Sequence, residues 1–197
     1  MEQGFRKLSL TVSDAVRKYG VSSVGVYVIS YDEITPILIQ SPLHEILEKV
    51  RWYGSDSIAQ NHHITKNVDS AMFAMKTNFT NPLYSISNET EESQALEKEL
   101  EKKLHEAGSI TYPAIAYDSY WIAALSLDKN STIISYKENF SKSFKELLVE
   151  TAESFEGMSG QIKLNAAGDR MGGNYDFWIV GKDNDTQSYE WKKDRMR

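Results

Sequence analysis

The chain carries the run Val24-Gly25-Val26-Tyr27-Val28-Ile29, and the polar residues Ser30-Tyr31-Asp32 follow it directly. A continuous apolar and β-branched run of this length is typical of a strand that is buried on both faces, as in a parallel sheet. Residues 5–19 precede it with apolar side chains at helical spacing, and Gly20 is a natural helix stop. The sequence therefore predicts an amphipathic helix that leads into a buried strand with a polar tip.

Helix and strand signals alternate in the segment that follows this tip. Residues 33–48 predict a helix that Pro42 would kink or split. Val50-Arg51-Trp52-Tyr53 predicts a short strand that ends in the turn Gly54-Ser55-Asp56-Ser57. Helix, strand, helix, strand is the order of a βαβ unit with a right-handed crossover.

The middle of the chain is predicted to be mostly helical. Residues 71–77 predict a third strand, and residues 81–92, which are polar with Pro and Asn, predict a loop. The next helix is nearly all charged outside a narrow leucine stripe, and Glu99 with Lys103 adds a favourable i,i+4 pair. Helices are expected over 91–107, 112–127 and 138–155.

The last part of the chain changes to strand periodicity. Gln161–Leu164 alternates polar and apolar residues, Ala167-Gly168-Asp169 predicts a turn, and residues 175–180 predict the returning strand. The predicted fold class is therefore α/β with a hairpin near the end.

Composition narrows the classes of function. The 197 residues include 22 Lys and Arg and 28 Asp and Glu, with a net charge of −6, which argues against nucleic acid as a partner. The absence of cysteine removes disulfides, cysteine metal sites and thiol nucleophiles together. No apolar run approaches the ~20 residues that span a bilayer. Met1-Glu2-Gln3-Gly4 leads straight into a charged segment, so we expect an exported protein to carry its signal upstream.

Two features bear on the compartment. The basic end, Lys192–Arg197, is either a solvated tail or a segment that precedes a membrane anchor. An excess of N-x-[ST] acceptor patterns favours a glycosylated extracellular surface. These patterns begin at Asn78, Asn88, Asn130, Asn139 and Asn184.

Four segments, taken in their order and spacing, resemble the type I periplasmic binding proteins. The resemblance is to the group that binds leucine, isoleucine and valine and to the related ligand-binding regions of receptors. It covers about residues 5–180 and is carried by Val24–Leu38, Val50–Ser57, Tyr112–Ser119 and Met158–Asp176. It implies a Rossmann-like βαβ lobe with added helices and a C-terminal β-hairpin.

The family has two α/β lobes that close on a ligand, and this chain resembles only the carboxy-terminal part. The resemblance implies that residues 1–80 form most of the second lobe and that residues 81–157 are helices that normally pack on the first lobe. Residues 158–183 would form the closing hairpin, and residues 184–197 a polar and basic tail. Without the first lobe, the apolar faces of helices 112–127 and 138–155 would need a partner, which a homodimer or element swapping would supply.

Asp56 is the strongest candidate for a ligand contact. It lies in a turn past a predicted strand end, where open parallel sheets bind ligands. The family holds the ligand's amino group with an acidic residue at this place; the alternative is a helix cap. By resemblance, Ser30 and Tyr31 line the cleft, unless they form an ordinary turn in which Ser30 or Asp32 caps the helix. Tyr112 would lie near the hinge, or pack in the core.

The resemblance implies a binding protein and not an enzyme, with no cofactor. No catalytic residue is predicted, since no Gly-x-Ser-x-Gly elbow is present, and His62-His63 lacks the spacing of a metal site. The implied function is the extracellular or periplasmic, membrane-anchored solute-binding component of an ABC uptake system. It would bind an amino acid or a similar amine or amide, with a membrane permease as partner. A sensor ectodomain is the first alternative, and an interaction domain or enzyme that shares only the architecture is the second.

Overall fold

The computed structural model describes residues 2–86, 91–104, 109–135 and 143–194 of the chain. The chain divides into two compact units. The terminal unit comprises Met1–Leu83 and Tyr175–Arg197, and the middle unit comprises Tyr84–Asn174.

The terminal unit begins with the predicted βαβ arrangement. Helix α1 (Glu2–Tyr19) leads into strand β1 (Gly25–Val28), helix α2 (Ile34–Gln40) and strand β2 (Arg51–Gly54). β1 and β2 pair in parallel, as predicted, from Gly25 opposite Arg51 to Val28 opposite Gly54. Residues 33–48 do not form one helix, because α2 ends at Gln40 and two short 3-10 turns follow, the first of which contains Pro42. This confirms the predicted split.

The core of the terminal unit lies on one face of this parallel pair. Ile34 and Leu38, one helical turn apart on α2, are fully buried there. Trp52 of β2 donates its indole N–H to the Leu47 carbonyl at 2.8 Å, and its ring meets Phe73 edge to face at 5.1 Å. The indole therefore fills the core without leaving its polar atom unsatisfied.

The prediction that β1 is buried on both faces is wrong. Val26 is buried, but Tyr27 on the other face is 63% exposed, and so is much of its cross-strand neighbour Tyr53. The described residues thus cover only one side of this two-stranded sheet, and the apolar run reflects a strand whose second face stays open.

The predictions for residues 71–77 and 81–92 are also wrong. After the short helix α3 (His62–Lys66), residues 71–77 fall largely in helix α4 (Val68–Lys76), which Asn67 caps by accepting from the Ser70 N–H at 3.0 Å. The predicted loop contains strand β3 (Asn81–Tyr84), which alternates buried and half-buried side chains. Pro82 is tolerated because β3 lies at the edge of its sheet.

The end of the chain closes the terminal unit. Residues 175–180 form a strand as predicted, within β6 (Tyr175–Lys182), but β6 pairs with β3 and with strand β7 (Tyr189–Lys193), not with residues 161–164. β7 lies in the segment predicted as a solvated tail. It is held because Trp191 packs on the core and donates to the Asn61 carbonyl at 3.0 Å.

The middle unit is mainly helical. Helices α5 (Glu91–Leu104), α6 (Thr111–Ser135) and α7 (Phe144–Ser154) confirm the three predicted helices, although residues 105–107 and 138–142 of those predictions lie outside the described residues. Lys103 contacts Glu99 at 2.7 Å, and this hydrogen bond holds the pKa of the Glu99 carboxyl below its ordinary value. α6 packs against α7, whose first turn carries a Ser143/Glu146 capping box.

A buried carboxylate fastens the small hairpin of the middle unit to α6. Strands β4 (Glu156–Gly157) and β5 (Gly160–Gln161) form this hairpin, and Asp118 of α6 is fully buried beside it. Asp118 accepts from the backbone N–H groups of Met158 at 2.8 Å and Ser159 at 2.7 Å, and from the Ser159 hydroxyl. Arg170 donates to the same hydroxyl at 2.7 Å, so one network holds three segments.

Replacing Trp191 should destabilise the protein if β7 is part of the fold. We expect Trp191→Ala to lower the free energy of unfolding by about 2–4 kcal/mol, because the indole packs on the core. Glu190→Ala, at an exposed position of the same strand, should change it by less than about 0.5 kcal/mol. Urea unfolding followed by circular dichroism measures both. If both variants changed the free energy of unfolding by the same small amount, residues 184–197 would be a tail and not part of the fold.

Asp118→Asn tests the buried network. The amide replaces one acceptor with a donor that faces other donors, so we expect a loss of about 2–4 kcal/mol of unfolding free energy. Glu153→Gln removes the same charge from an exposed position of α7 and should be nearly neutral. A thermal unfolding curve that Asp118→Asn leaves unchanged would contradict the role assigned to this carboxylate.

Candidate ligand-binding edge of the terminal unit

Two polar turns meet where the parallel strands β1 and β2 end. Because Val28 pairs with Gly54, the residues after each strand leave the sheet side by side. The Ser57 hydroxyl bridges them by donating to the Ser30 carbonyl at 2.8 Å, and it also contacts the Ser55 hydroxyl at 2.7 Å. The structure therefore brings two predicted site segments, the Ser30 tip and the Asp56 turn, to one edge.

The Ser30 side chain is the unusual group at this edge. It is only 5% exposed, and its hydroxyl has no hydrogen-bond partner among the described residues. A buried hydroxyl without a partner costs about 1–3 kcal/mol, so folds seldom keep one without a use. The Ser30 hydroxyl thus has hydrogen-bonding capacity that no described residue uses.

Asp56 presents its carboxylate at the surface, next to the polar tip that begins with Ser30. One carboxylate oxygen accepts from the Ser57 backbone N–H at 2.9 Å. The backbone continues in a tight turn, in which the Ile58 N–H donates to the Ser55 carbonyl at 3.1 Å. A short bond to the next residue fixes the carboxylate's direction while the residue remains exposed.

Tyr31 and Asp32 complete the tip. Tyr31 is exposed. The residue that precedes α2 is Glu33 and no side chain caps this helix, so the alternative that Ser30 or Asp32 caps it is wrong. Instead, Asp32 accepts from the Asn61 amide at 3.1 Å, which ties the tip to the residue that caps α3.

Asn81 is a residue that sequence reasoning missed. It is fully buried behind the Asp56 turn, and its side-chain oxygen has no partner in the described part of the chain. A β-carbon at Gly54 would lie 1.9 Å from that oxygen, so only glycine fits at the end of β2. A glycine that ends a strand was the available signal for such a close approach.

Tyr112 belongs to the middle unit, whereas Ser30, Tyr31 and Asp56 belong to the terminal unit. It lies in the first turn of α6, in the middle unit, and is about half exposed. Its role in a ligand site stays a prediction.

One groove of the terminal unit lies away from this edge. This groove of about 690 Å³ is lined by Met72, Met75 and Lys76 of α4 together with Lys182 and Tyr189, and its lining includes neither Ser30 nor Asp56.

The described residues contain no group of three or more His, Asp or Glu placed to hold a metal ion. None of the helices in these ranges combines the length and apolar character that crossing a membrane requires.

Two buried serines give a matched test of the Ser30 hydroxyl. Ser41 is also buried, but its hydroxyl donates to the Ile37 carbonyl at 2.8 Å. We expect Ser41→Ala to lower the free energy of unfolding by about 1 kcal/mol and Ser30→Ala to leave it unchanged or raise it. Denaturant unfolding of both variants makes the comparison. A loss at Ser30 as large as that at Ser41 would show that its hydroxyl serves folding.

Comparisons with known proteins identify the family and the fold. A sequence profile described as the receptor family ligand binding region matches residues 7–183. An uncharacterized protein of Methanocaldococcus jannaschii is 29% identical over 170 residues, which are 82% of this chain and 39% of that protein. An ABC transporter substrate-binding protein from Desulfitobacterium hafniense aligns with a TM-score of 0.56 and 13% identity, over 95% of this chain and 48% of that chain.

A second solved structure, an ABC transporter substrate-binding protein from the same organism in complex with Leu, aligns with a TM-score of 0.55 and 15% identity, over the same shares of the two chains. The chain thus spans about half the length of the solved proteins and less of the Methanocaldococcus protein. The predicted α/β fold class and the resemblance to periplasmic binding proteins are confirmed.

Proposed function

The chain belongs to the family of receptor ligand-binding regions, and we propose that the intact protein binds a small amino acid-like solute at the edge formed by Ser30 and the Asp56 turn. The observation that carries this proposal is the buried Ser30 hydroxyl, which lacks a partner in the described residues and lies at the carboxyl ends of two parallel strands.

The two side chains at this edge suit different parts of an amino acid. The Asp56 carboxylate pairs with the ligand's ammonium group through a charge-assisted hydrogen bond. The Ser30 hydroxyl donates to an acceptor such as a carboxylate oxygen. Tyr31, exposed at the tip, supplies a wall, and Tyr112 contributes from the hinge side. No step of this binding requires a cofactor, a metal or a catalytic residue.

The proposal includes a second lobe that this chain does not supply. The terminal unit corresponds to most of one lobe, and the helices over 81–157 pack on the other. Ligand binding then favours the closed arrangement of the two lobes through its higher affinity for that state. The match to about half of each solved neighbour's length supports this division.

The biological setting proposed is uptake outside the cytoplasm. Both solved neighbours are named as ABC transporter substrate-binding proteins, which supports an extracellular or periplasmic, membrane-anchored component that delivers its ligand to a membrane permease. The alternative is the ectodomain of a membrane sensor. The family's description as the ligand-binding region of receptors favours this second candidate.

Calorimetric titration of the full-length protein and of the 197-residue chain tests the proposal. The ligands are the natural amino acids, with leucine first because one solved neighbour is a leucine complex, together with urea and short amides. We expect the full-length protein to bind one amino acid and the 197-residue chain to give no heat. Asp56→Ala should weaken binding at least about a hundredfold, since it removes the partner of a desolvated charge.

The matched control is Asp69→Ala. Asp69 is an exposed carboxylate on α4 in the same unit, so its loss changes the net charge equally without touching the edge. Binding that survives Asp56→Ala, or that falls equally in both variants, would contradict the proposed site. Binding of no amino acid by the full-length protein would contradict the ligand class.

A further inference from the structure

Two N-x-[ST] patterns of the terminal unit differ in their accessibility. Asn184-Asp185-Thr186 lies in the turn between β6 and β7, and Asn78-Phe79-Thr80 follows α4. These are the patterns whose asparagine side chains fall within the described part of the chain. Such a pattern accepts a glycan on the asparagine amide, requires the hydroxyl two residues further along, and belongs on a surface loop. The structure therefore allows the two sites to be compared.

The Asn184 side chain takes no part in holding its own turn. The Asp183 carboxylate organises the turn by accepting from the backbone N–H groups of Asp185 at 3.0 Å and Thr186 at 2.6 Å. Asn184 contributes its backbone carbonyl, which accepts from the Gln187 side chain at 2.8 Å. Its own side chain is exposed, and its amide makes no hydrogen bond with the described residues.

The Thr186 hydroxyl, the second group that glycan transfer requires, is also at the surface. It donates to the Asp183 carboxylate at 2.8 Å and contacts the Ser188 hydroxyl at 2.7 Å. Because all three residues are at the surface, water or an enzyme replaces these contacts at little cost. A transferase can thus reach both groups in a loop that joins two strands, without unfolding the terminal unit.

The same two groups are inaccessible at Asn78. Phe79, in the middle of the pattern, is fully buried in the core, and its backbone N–H donates to the Ala74 carbonyl at 2.8 Å. Thr80 is only 8% exposed, and its hydroxyl donates to the Asn78 carbonyl at 2.9 Å. An enzyme that gripped Asn78 and Thr80 would have to pull the Phe79 ring out of the core.

Asn78 also has a structural use that Asn184 lacks. Asn78 is half-buried and has a φ of 49°, in the left-handed region that asparagine tolerates better than most residues. In the β6–β7 turn the left-handed residue is Gln187, with a φ of 60°. The sequence thus needs an asparagine at 78 for the backbone, whereas neither the backbone nor a side-chain hydrogen bond accounts for the one at 184.

We propose that Asn184 carries an N-linked glycan in the native protein and that Asn78 is unmodified. This inference rests on the proposed extracellular or periplasmic setting, because N-linked glycans belong to secreted proteins. The transfer joins the Asn184 Nδ2 to the anomeric carbon of a lipid-linked oligosaccharide. The bond between that carbon and a phosphate oxygen of the lipid breaks, the lipid phosphate leaves with the electron pair, and the amide releases one proton.

Mass spectrometry of the full-length protein, purified from the cells that naturally make it, tests this assignment. Trypsin cleaves after Lys182 and Lys192, and the peptide 183–192 has Asn184 as its single asparagine. We expect this peptide in a heavier form, whose fragmentation releases sugar residues and locates the added mass on Asn184. Asn78 shares the tryptic peptide 77–98 with the Asn88 pattern, and fragmentation of that peptide should show Asn78 unmodified.

Variants of the turn separate the acceptor pattern from the local structure. Thr186→Ala removes the required hydroxyl and should abolish the glycan, whereas Thr186→Ser keeps the hydroxyl and should retain it. Ser188→Ala is the matched control, because it removes an exposed hydroxyl of the same turn that lies outside the pattern. It should leave the glycan in place. Loss of the glycan in Ser188→Ala, or its persistence in Thr186→Ala, would contradict attachment at Asn184.

An unmodified 183–192 peptide from the exported protein, or a glycan on Asn78, would overturn the proposal. Cell fractionation and calorimetric titration distinguish this failure from a failure of the proposed function. Amino acid binding by an exported protein without this glycan would overturn the glycan assignment alone. Recovery of the protein from the cytoplasm, with an unmodified 183–192 peptide, would overturn the proposed setting and the glycan assignment together.

Discussion

The parallel pairing of β1 with β2 fixes the chemistry of the terminal unit as well as its shape. Pairing Val28 with Gly54 forces the tip at Ser30 and the turn at Asp56 to leave the sheet together, and the Ser57 hydroxyl locks the two turns. The same pairing seats Trp52 in the core, where its indole reaches Phe73 and the Leu47 carbonyl. A change that shifted this register would move core and edge at once.

Asp118 and Ser30 are buried polar side chains with opposite hydrogen-bonding environments. In the middle unit, Asp118 is fully buried and receives three hydrogen bonds, so its desolvation is offset by strong contacts. At the edge of the terminal unit, Ser30 and Asn81 hold buried oxygen atoms that no described residue satisfies. A satisfied network specifies one packing arrangement, whereas unsatisfied atoms retain free energy that a ligand can recover.

The sequence was most informative where two independent signals agreed. Helix α1 combines helical periodicity with Gly20 as a stop, and α5 combines a leucine stripe with the Glu99–Lys103 pair. Residues 71–77 have only a short apolar run, which strand and helix share, and the Asn67 cap that decides the matter lies four residues upstream. β3 was hidden by Pro82, since a proline argues against a strand unless the edge position is known. Gly54 signalled a close approach at the end of β2, but the sequence could not identify Asn81, 27 positions away, as the residue that makes it.

The terminal unit is assembled from the two ends of the chain, with the middle unit inserted between them. The hydrogen bond from Trp191 to Asn61 joins residues 130 positions apart. Strand β7 therefore completes the core around Trp52. Strands β6 and β7 follow the middle unit in the chain, so residues 1–83 cannot complete their core until residues 175–193 join them. The terminal unit therefore depends on contacts between distant parts of the chain, which form more slowly than contacts between neighbouring segments.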